Sequence, residues 1–189
     1  MARKLHQYTY SDYVGIEQDS PTKHEFLDGE IYAMGGGTEE HSALAAEVLY
    51  VLTSAVRGKP CRVHTSDLRI YVEGASLATF PDGTVICGGL QQHEASPKST
   101  AVNPTVLLEV TSDSSEEYDN TVKLEHYRTI PTLRDYIIVS HRERRITLHS
   151  RSEGEEWATR MAIPGERVAV SSVGAVLAVD EIYRASNIR

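Results

Sequence analysis

The sequence predicts one α/β domain (equally describable as α+β), a mixed sheet flanked by helices, and three observations carry that prediction. Elements follow in the order helix, hairpin, helix, strands, helix, strands, which suits a sheet with helices on its faces. Val106 to Val110 (VLLEV) is an apolar run broken by one acid, as in a central strand covered on both faces. From Thr38 to Val56, the residues His41, Leu44, Ala45, Val48, Leu49, Leu52 and Val56 recur at three- and four-residue steps, as in an amphipathic helix. The 189 residues suffice for one hydrophobic core and contain no repeat, low-complexity segment or linker that would divide them.

The elements can be taken in order. Tyr8 to Gln18 reads as a short helix capped by Ser11 and ended by Ser20-Pro21. Lys23 to Gly35 reads as a hairpin around Asp28-Gly29, with Glu25 and Leu27 on one face and His24 and Phe26 on the other. Gly35-Gly36-Gly37 ends it without forming a phosphate-loop motif, since neither GxxxxGK[ST] nor GxGxxG is present. Thr38 caps the long helix, and Glu39 and Glu40 complement its positive end. His41 lies in the first turn, where a single histidine reads first as a structural or capping residue.

Cys61 to Val72 gives one or two strands, and Thr84 to Cys87 another, entered through Pro81-Asp82-Gly83. Gln91 to Ala101, with Pro97, reads as a mobile polar loop. Ser114 and Glu117 have capping-box spacing, and the helix they open runs to Arg128 or Thr129, before Pro131. Asp119, Lys123 and Tyr127 are four apart and share a face of it. Arg134 to Ser140 and Arg145 to Ser150 read as an antiparallel pair, Glu156 to Ile163 as a further strand, and Ala175 to Tyr183 as a short strand or helix. The strands on either side of the Ser114 helix suit a right-handed βαβ crossover.

Composition narrows the classes. An apolar fraction of 40%, a charged fraction of 24% and no apolar run near the length of a membrane span indicate a globular protein without membrane association. The amino terminus has basic residues but no apolar segment, so it does not read as a signal peptide, and the cytoplasm is the expected location. Cys61 and Cys87 lie in apolar, strand-like settings and read as buried free thiols. A net charge of −8 argues against a protein that coats nucleic acid, though not against a nuclease, whose metal-binding acids add negative charge. The groups Arg57, Lys59, Arg62, Arg69 and Arg142, Arg144, Arg145, Arg151 read as solvated surface.

The chemistry concentrates in Asp82, Glu109 and Lys123. A carboxylate buried inside VLLEV needs a partner or a metal. Mg²⁺ takes oxygen ligands, commonly one or two carboxylates with several waters. Asp82 and Glu109 can serve if they end neighbouring strands, with the Val110 carbonyl completing the shell. Lys123 would orient a water or offset phosphate charge, and Glu25 would add another carboxylate. Plainer readings stand beside these: Pro81-Asp82-Gly83 as a turn, Glu25 as a hairpin acid, and Asp119–Lys123 as an exposed pair worth ~0.3–0.5 kcal/mol. Zinc-ligand spacing, a GxSxG elbow and an activated cysteine are all absent from the sequence.

Several motifs occur in one order: HEFLDGEIYAMGG, FPDGTVIC, NPTVLLEVTSDSSEEYDNTVKLEHY and PTLRDYIIVS. Together they resemble the Uma-type restriction endonuclease family, long classed as a domain of unknown function, within the PD-(D/E)XK superfamily. The resemblance covers nearly the whole chain. It implies a restriction-endonuclease-like fold, Asp82 and Glu109 as ligands of Mg²⁺ (Mn²⁺ as substitute) and DNA as substrate. Separately, edge strands near residues 145 to 163 are expected to support a homodimer, the simplest way to cut both strands of a duplex. The superfamily's lysine two positions after the acid is Thr111 here, and the resemblance assigns its role to Lys123. Glu25 and His41 match the family's first-hairpin acid and helix-starting histidine. Gly83 and Asp113 depart from the family's usual apolar residue and proline. The alternative is a catalytically silent nucleic-acid-binding or regulatory protein of the same fold.

Overall fold

The structure, a computed structural model, describes residues 7–95, 100–152 and 155–189. Pro97 of the polar loop lies outside the described residues. The first helix, α1 (Tyr10–Asp19), is capped by Thr9 rather than Ser11: Thr9 and Asp12 form a reciprocal capping box. The hairpin β1 (His24–Leu27) and β2 (Glu30–Ala33) turns through Asp28 and Gly29, both at positive φ (46° and 89°), as a tight two-residue turn requires. Helix α2 (Glu39–Ala55) is capped by Thr38 and buries Leu44, Ala45, Val48 and Leu52.

Strands β3 (Cys61–Thr65), β4 (Arg69–Val72), β5 (Leu77–Thr79), β6 (Gly83–Cys87), β7 (Thr100–Ala101) and β8 (Val106–Val110) follow. Two short helices come next, α3 (Glu116–Asn120) and α4 (Val122–Arg128). The chain ends with β9 (Asp135–Val139), β10 (Ile146–Arg151), β11 (Trp157–Ala162), β12 (Arg167–Val170), β13 (Ala175–Ala178) and α5 (Val179–Ile182).

The strands form a six-stranded sheet in the order β11-β10-β9-β8-β6-β3 and a five-stranded sheet in the order β2-β1-β5-β4-β7, with β12 and β13 as a separate pair. In the larger sheet β8 and β9 are parallel, joined through α3 and α4, and the other neighbouring strands are antiparallel. Every residue of β8 is buried. Val106, Leu108 and Val110 pack with α2 and the β12–β13 pair, while Leu107 packs with Leu124 and Tyr127 of α4 and with Ile70 and Leu77 of the smaller sheet. That double coverage is why the strand has no polar alternation.

Three expectations are corrected. The helix after Ser114 is two helices, and no Ser114–Glu117 capping box forms; Ser115 is the cap position. Asn120 Nδ2 donates to the Glu116 carbonyl and Thr121 Oγ1 to the Glu117 carbonyl, so side chains compete for the acceptors a continuous helix would use. Cys61 and Cys87 are not free thiols: antiparallel pairing of β3 with β6 sets them opposite one another, and they form a disulfide. Arg69 is not surface but buried, donating through Nε to Thr100 Oγ1 at 2.8 Å, with its guanidinium 5.1 Å from the Tyr13 ring.

Gly83 is explained by packing. A Cβ there would lie 2.7 Å from Leu49 Cδ2 and 3.3 Å from Leu108 Cβ, so α2 occupies the room a larger residue would need. Gly83→Ala is therefore expected to cost about 1–3 kcal/mol in urea unfolding through overpacking. Adding Leu49→Ala should return part of that loss; strict additivity of the two costs would contradict the close approach.

Candidate active site

The site forms where β6 begins and β8 ends. Gly83 pairs with Leu108 in an antiparallel ladder, which brings Asp82 beside Glu109. The Val110 N–H donates to Asp82 Oδ2 at 2.8 Å. Glu109 is 5% exposed, and its Oε1 accepts from the Tyr127 hydroxyl at 2.8 Å. Asp82, Glu109 and Val110 are thus brought together, Val110 through its N–H.

Lys123 joins them from α4. Its Nζ lies 2.8 Å from Glu109 Oε1, 3.3 Å from Glu25 Oε1 and 3.4 Å from Asp119 Oδ1. Glu25 arrives from β1 of the other sheet and accepts a hydrogen bond from the Thr79 hydroxyl. The Asp119–Lys123 pair is buried, not exposed, and Asp119 Oδ1 takes no hydrogen bond among the described residues. The turn at Thr121 does not spoil the four-residue spacing: Asp119, Lys123 and Tyr127 still face β8. Asp119, Tyr127 and Thr79 were not singled out as site residues. The shared helical face signalled the first two; Thr79 lies on a strand the sequence did not reveal.

The electrostatics follow from burial. Loss of solvent pushes the Glu109 carboxyl up to about 8; Lys123 opposes this, while Asp119 and Asp82 reinforce it. Asp119 is also raised, chiefly by burial. Burial works against the charge on Lys123, but Glu109, Glu25 and Asp119 outweigh it and hold the ammonium well above its ordinary value. Tyr118 lies alongside, its ring 5.7 Å from Lys123 Nζ; burial and then Glu25 push its hydroxyl up to about 12.

Two neighbouring groups complete the surroundings. His41 Nε2 lies 3.1 Å from Asp82 Oδ2, a contact the sequence did not foretell, and the hydrogen bond to Asp82 raises the imidazole despite its burial. Thr111, in the superfamily's lysine position, pairs its hydroxyl with His141 Nδ1 at 2.7 Å. Asp113 is held by Arg142 Nη2 at 2.9 Å and His141 Nε2 at 3.1 Å.

Among the described residues, no three His, Cys, Asp or Glu side chains converge as a ready-made metal cage. The donor chemistry nevertheless suits a hard cation that keeps most of its waters, because such an ion needs only one or two carboxylates. Asp82 and Glu109 have the oxygen donors such an ion takes, and the upward shift of Glu109 comes chiefly from its burial. A cleft of about 540 Å³ elsewhere, lined by Arg160, Met161, Arg167, Val168, Ala169 and Val176, shares no residue with this cluster.

Comparison with known proteins agrees with this architecture. Residues 9–179 match the family model Uma2, described as "Putative restriction endonuclease". "Uncharacterized protein slr1290" of Synechocystis sp. is 33% identical over 175 residues, covering 92% of this chain and 90% of its own. "Uncharacterized protein sll1609" of the same organism is 26% identical over 149 residues, covering 79% and 84%. A crystal structure from Anabaena variabilis, titled as a "putative nuclease belonging to DUF820", superposes with a TM-score of 0.72 at 17% identity, covering 90% of this chain and 97% of that one. That likeness establishes the mixed α/β restriction-endonuclease-like fold. With its sheet, its paired acids and a family match over most of its length, the chain belongs to the Uma2 family of the PD-(D/E)XK restriction-endonuclease-like superfamily.

Proposed function

We propose that the protein is a Mg²⁺-dependent endonuclease that hydrolyses DNA phosphodiester bonds, with Mn²⁺ able to replace Mg²⁺. The observation that carries this reading is the imbalance of charge at the end of β8. Buried Lys123 touches Glu25, Glu109 and Asp119, and Asp82 adds a fourth acid. The group is completed by a proton on Glu109 or by a further cation. Asp82 and Glu109 would hold a divalent ion, with the Val110 carbonyl. When bound, the ion would supply Lewis-acid polarisation of the phosphate and a more acidic water.

The protein's own groups have separable parts in this reading. Tyr127 fixes Glu109, and Glu25 restrains Lys123 from the opposite sheet. Lys123, permanently charged, orients the attacking water or offsets charge on the phosphate. Asp82 carries the second carboxylate, steadied by the Val110 N–H. The silent nucleic-acid-binding alternative draws on one observation: each of these acids already has a protein partner on one oxygen, Lys123 and Tyr127 on Glu109 and the Val110 N–H on Asp82.

A homodimer would suit cleavage of both strands of a duplex. Strand β11 is an edge of the six-stranded sheet, and Met161 and Ile163 nearby are 60% and 53% exposed. No helix among the described residues is long and apolar enough to cross a membrane.

Three outcomes are expected, the first with two readouts, cleavage and metal-induced stabilisation. Wild type should nick supercoiled plasmid with Mg²⁺ or Mn²⁺, while Asp82→Ala and Lys123→Met lose at least about 10²-fold in rate. In the same proteins Mn²⁺ at about 100 times its dissociation constant should stabilise wild type by ~2.7 kcal/mol and leave Glu109→Ala unmoved. Mn²⁺ stabilisation without cleavage of any DNA form would favour the silent binder.

The second outcome concerns pH. Folding raises Glu109 from about 4.5 to about 8, so below the lower value both states hold the proton and its full contribution is present. Between the two values the folded chain keeps a proton that the unfolded chain has released, so metal-free stability falls as pH rises. Denaturation across that window should show this fall, and Glu109→Gln should flatten it; equal slopes would contradict the assignment. Third, sedimentation should give a dimer that Met161→Glu converts to monomer. A wild-type monomer at all concentrations would exclude the β11 dimer.

A further inference from the structure

The triple glycine and His41 have no part in the scheme above, yet the fold brings them together beside Asp82. A Cβ on Gly37 would lie 2.6 Å from His41 Nδ1 and 3.0 Å from its Cγ, so the imidazole sits in space that exists because residue 37 has no side chain. Gly37 is not at positive φ, so the glycine answers a need for room and not a backbone requirement. Thr38 Oγ1 accepts from the His41 backbone N–H at 3.2 Å and anchors the turn that carries the ring. From there Nε2 reaches Asp82 Oδ2 at 3.1 Å.

Asp82 Oδ2 therefore has two nitrogens against it: the Val110 N–H donates at 2.8 Å, and His41 Nε2 lies 3.1 Å away as an ion-pair partner. Two contacts on one oxygen restrain the rotation of the carboxylate and leave the other oxygen over. Asp82 Oδ1 takes no hydrogen bond among the described residues, and the side chain retains 18% exposure. A carboxylate free to spin would offer either oxygen, or neither, in the direction of Glu109. Hydrogen bonds that orient a metal-binding carboxylate typically change affinity by about 10–100-fold when removed.

We infer that His41, seated on Gly37, is a positioning residue that locks Asp82 so that Oδ1 is the oxygen presented to a divalent cation. This rests on the metal-dependent reading above and adds to it a role for the loop between β2 and α2. The ring acts through Asp82 and does not itself touch the ion. Gly37 belongs to the same device, since any side chain there displaces the imidazole while leaving His41 in the sequence.

Calorimetric titration of the full chain with Mn²⁺ tests this without any DNA. Wild type should bind; His41→Ala and Gly37→Ala should each bind about 10–100-fold more weakly. His41→Gln, whose amide N–H can reach the same oxygen, should stay within a few-fold of wild type. Metal-free melting temperatures should be little changed, because the Thr38 cap uses the His41 backbone and not its ring. Unchanged affinity in His41→Ala, with wild type binding, would overturn the positioning role alone. Affinity lost equally in His41→Ala and His41→Gln, with nitrogen coupling in the electron spin echo of Mn²⁺ bound to wild type, would make the ring a ligand and overturn it too. No binding by wild type would overturn this inference and the metal-dependent reading together. Should His41→Ala fail to fold, the Gly37→Ala comparison decides by the same criterion.

Discussion

The buried ammonium of Lys123 is the interaction on which the rest of the structure depends. An ion of this kind loses several kcal/mol of solvation on burial unless opposite charge surrounds it. Glu109 comes from the six-stranded sheet, Glu25 from the five-stranded sheet and Asp119 from the helix before it, so one nitrogen ties three layers together. Each partner needs the others. Remove Lys123 and three acids lie together without compensation; remove Glu109 and the ammonium loses its nearest counter-ion. The packing of Leu107, Leu124, Tyr127 and Ile138 around this point excludes the water that would make the arrangement weak.

The same burial bears on the proposal that the cluster is a site and not merely a fastening. An ion pair built only for stability tends toward balance, and replacing it by apolar side chains is often neutral or better. Here acids outnumber the cation, and burial, reinforced by Asp119 and Asp82, holds the Glu109 carboxyl well above the usual carboxylate range. Such an imbalance is costly in a metal-free chain and becomes favourable once a cation or an anionic substrate with its counter-ion arrives. Perturbed carboxyl groups gather at functional sites for this reason.

Much of this was legible in the sequence because it rests on local rules. Asp28-Gly29 dictated its hairpin, Thr38 its cap, and VLLEV its doubly covered strand. Asp82, Glu109, Lys123 and Glu25 could be named because strand ends and helical spacing are local, and the Uma2 motifs placed them together. What escaped depended on register between distant segments. The pairing of Cys61 with Cys87 follows from the β3–β6 ladder, which no short stretch encodes. The ring of His41 reaches Asp82 because α2 packs over β6, and the burial of Arg69 depends on Thr100 far along the chain. The break at Thr121 was missed for a different reason: competition between side-chain and backbone donors is decided by tenths of an ångström.

The Cys61–Cys87 bond closes a covalent ring whose topology matters more than its position at the sheet edge. The ring starts on β3, passes through β4 and β5 of the other sheet, and returns along β6 with Asp82 inside it. It therefore encloses segments of both sheets. Closing a loop of 26 residues removes unfolded-chain entropy worth about 3–4 kcal/mol in the simplest treatment. Under oxidising conditions the two sheets are tethered even before they pack, and one of the acids travels within the tether. Under reducing conditions the two sheets stay joined by the chain at residues 66–68 and 80–82, but the ring is open and packing alone must bring β3 against β6.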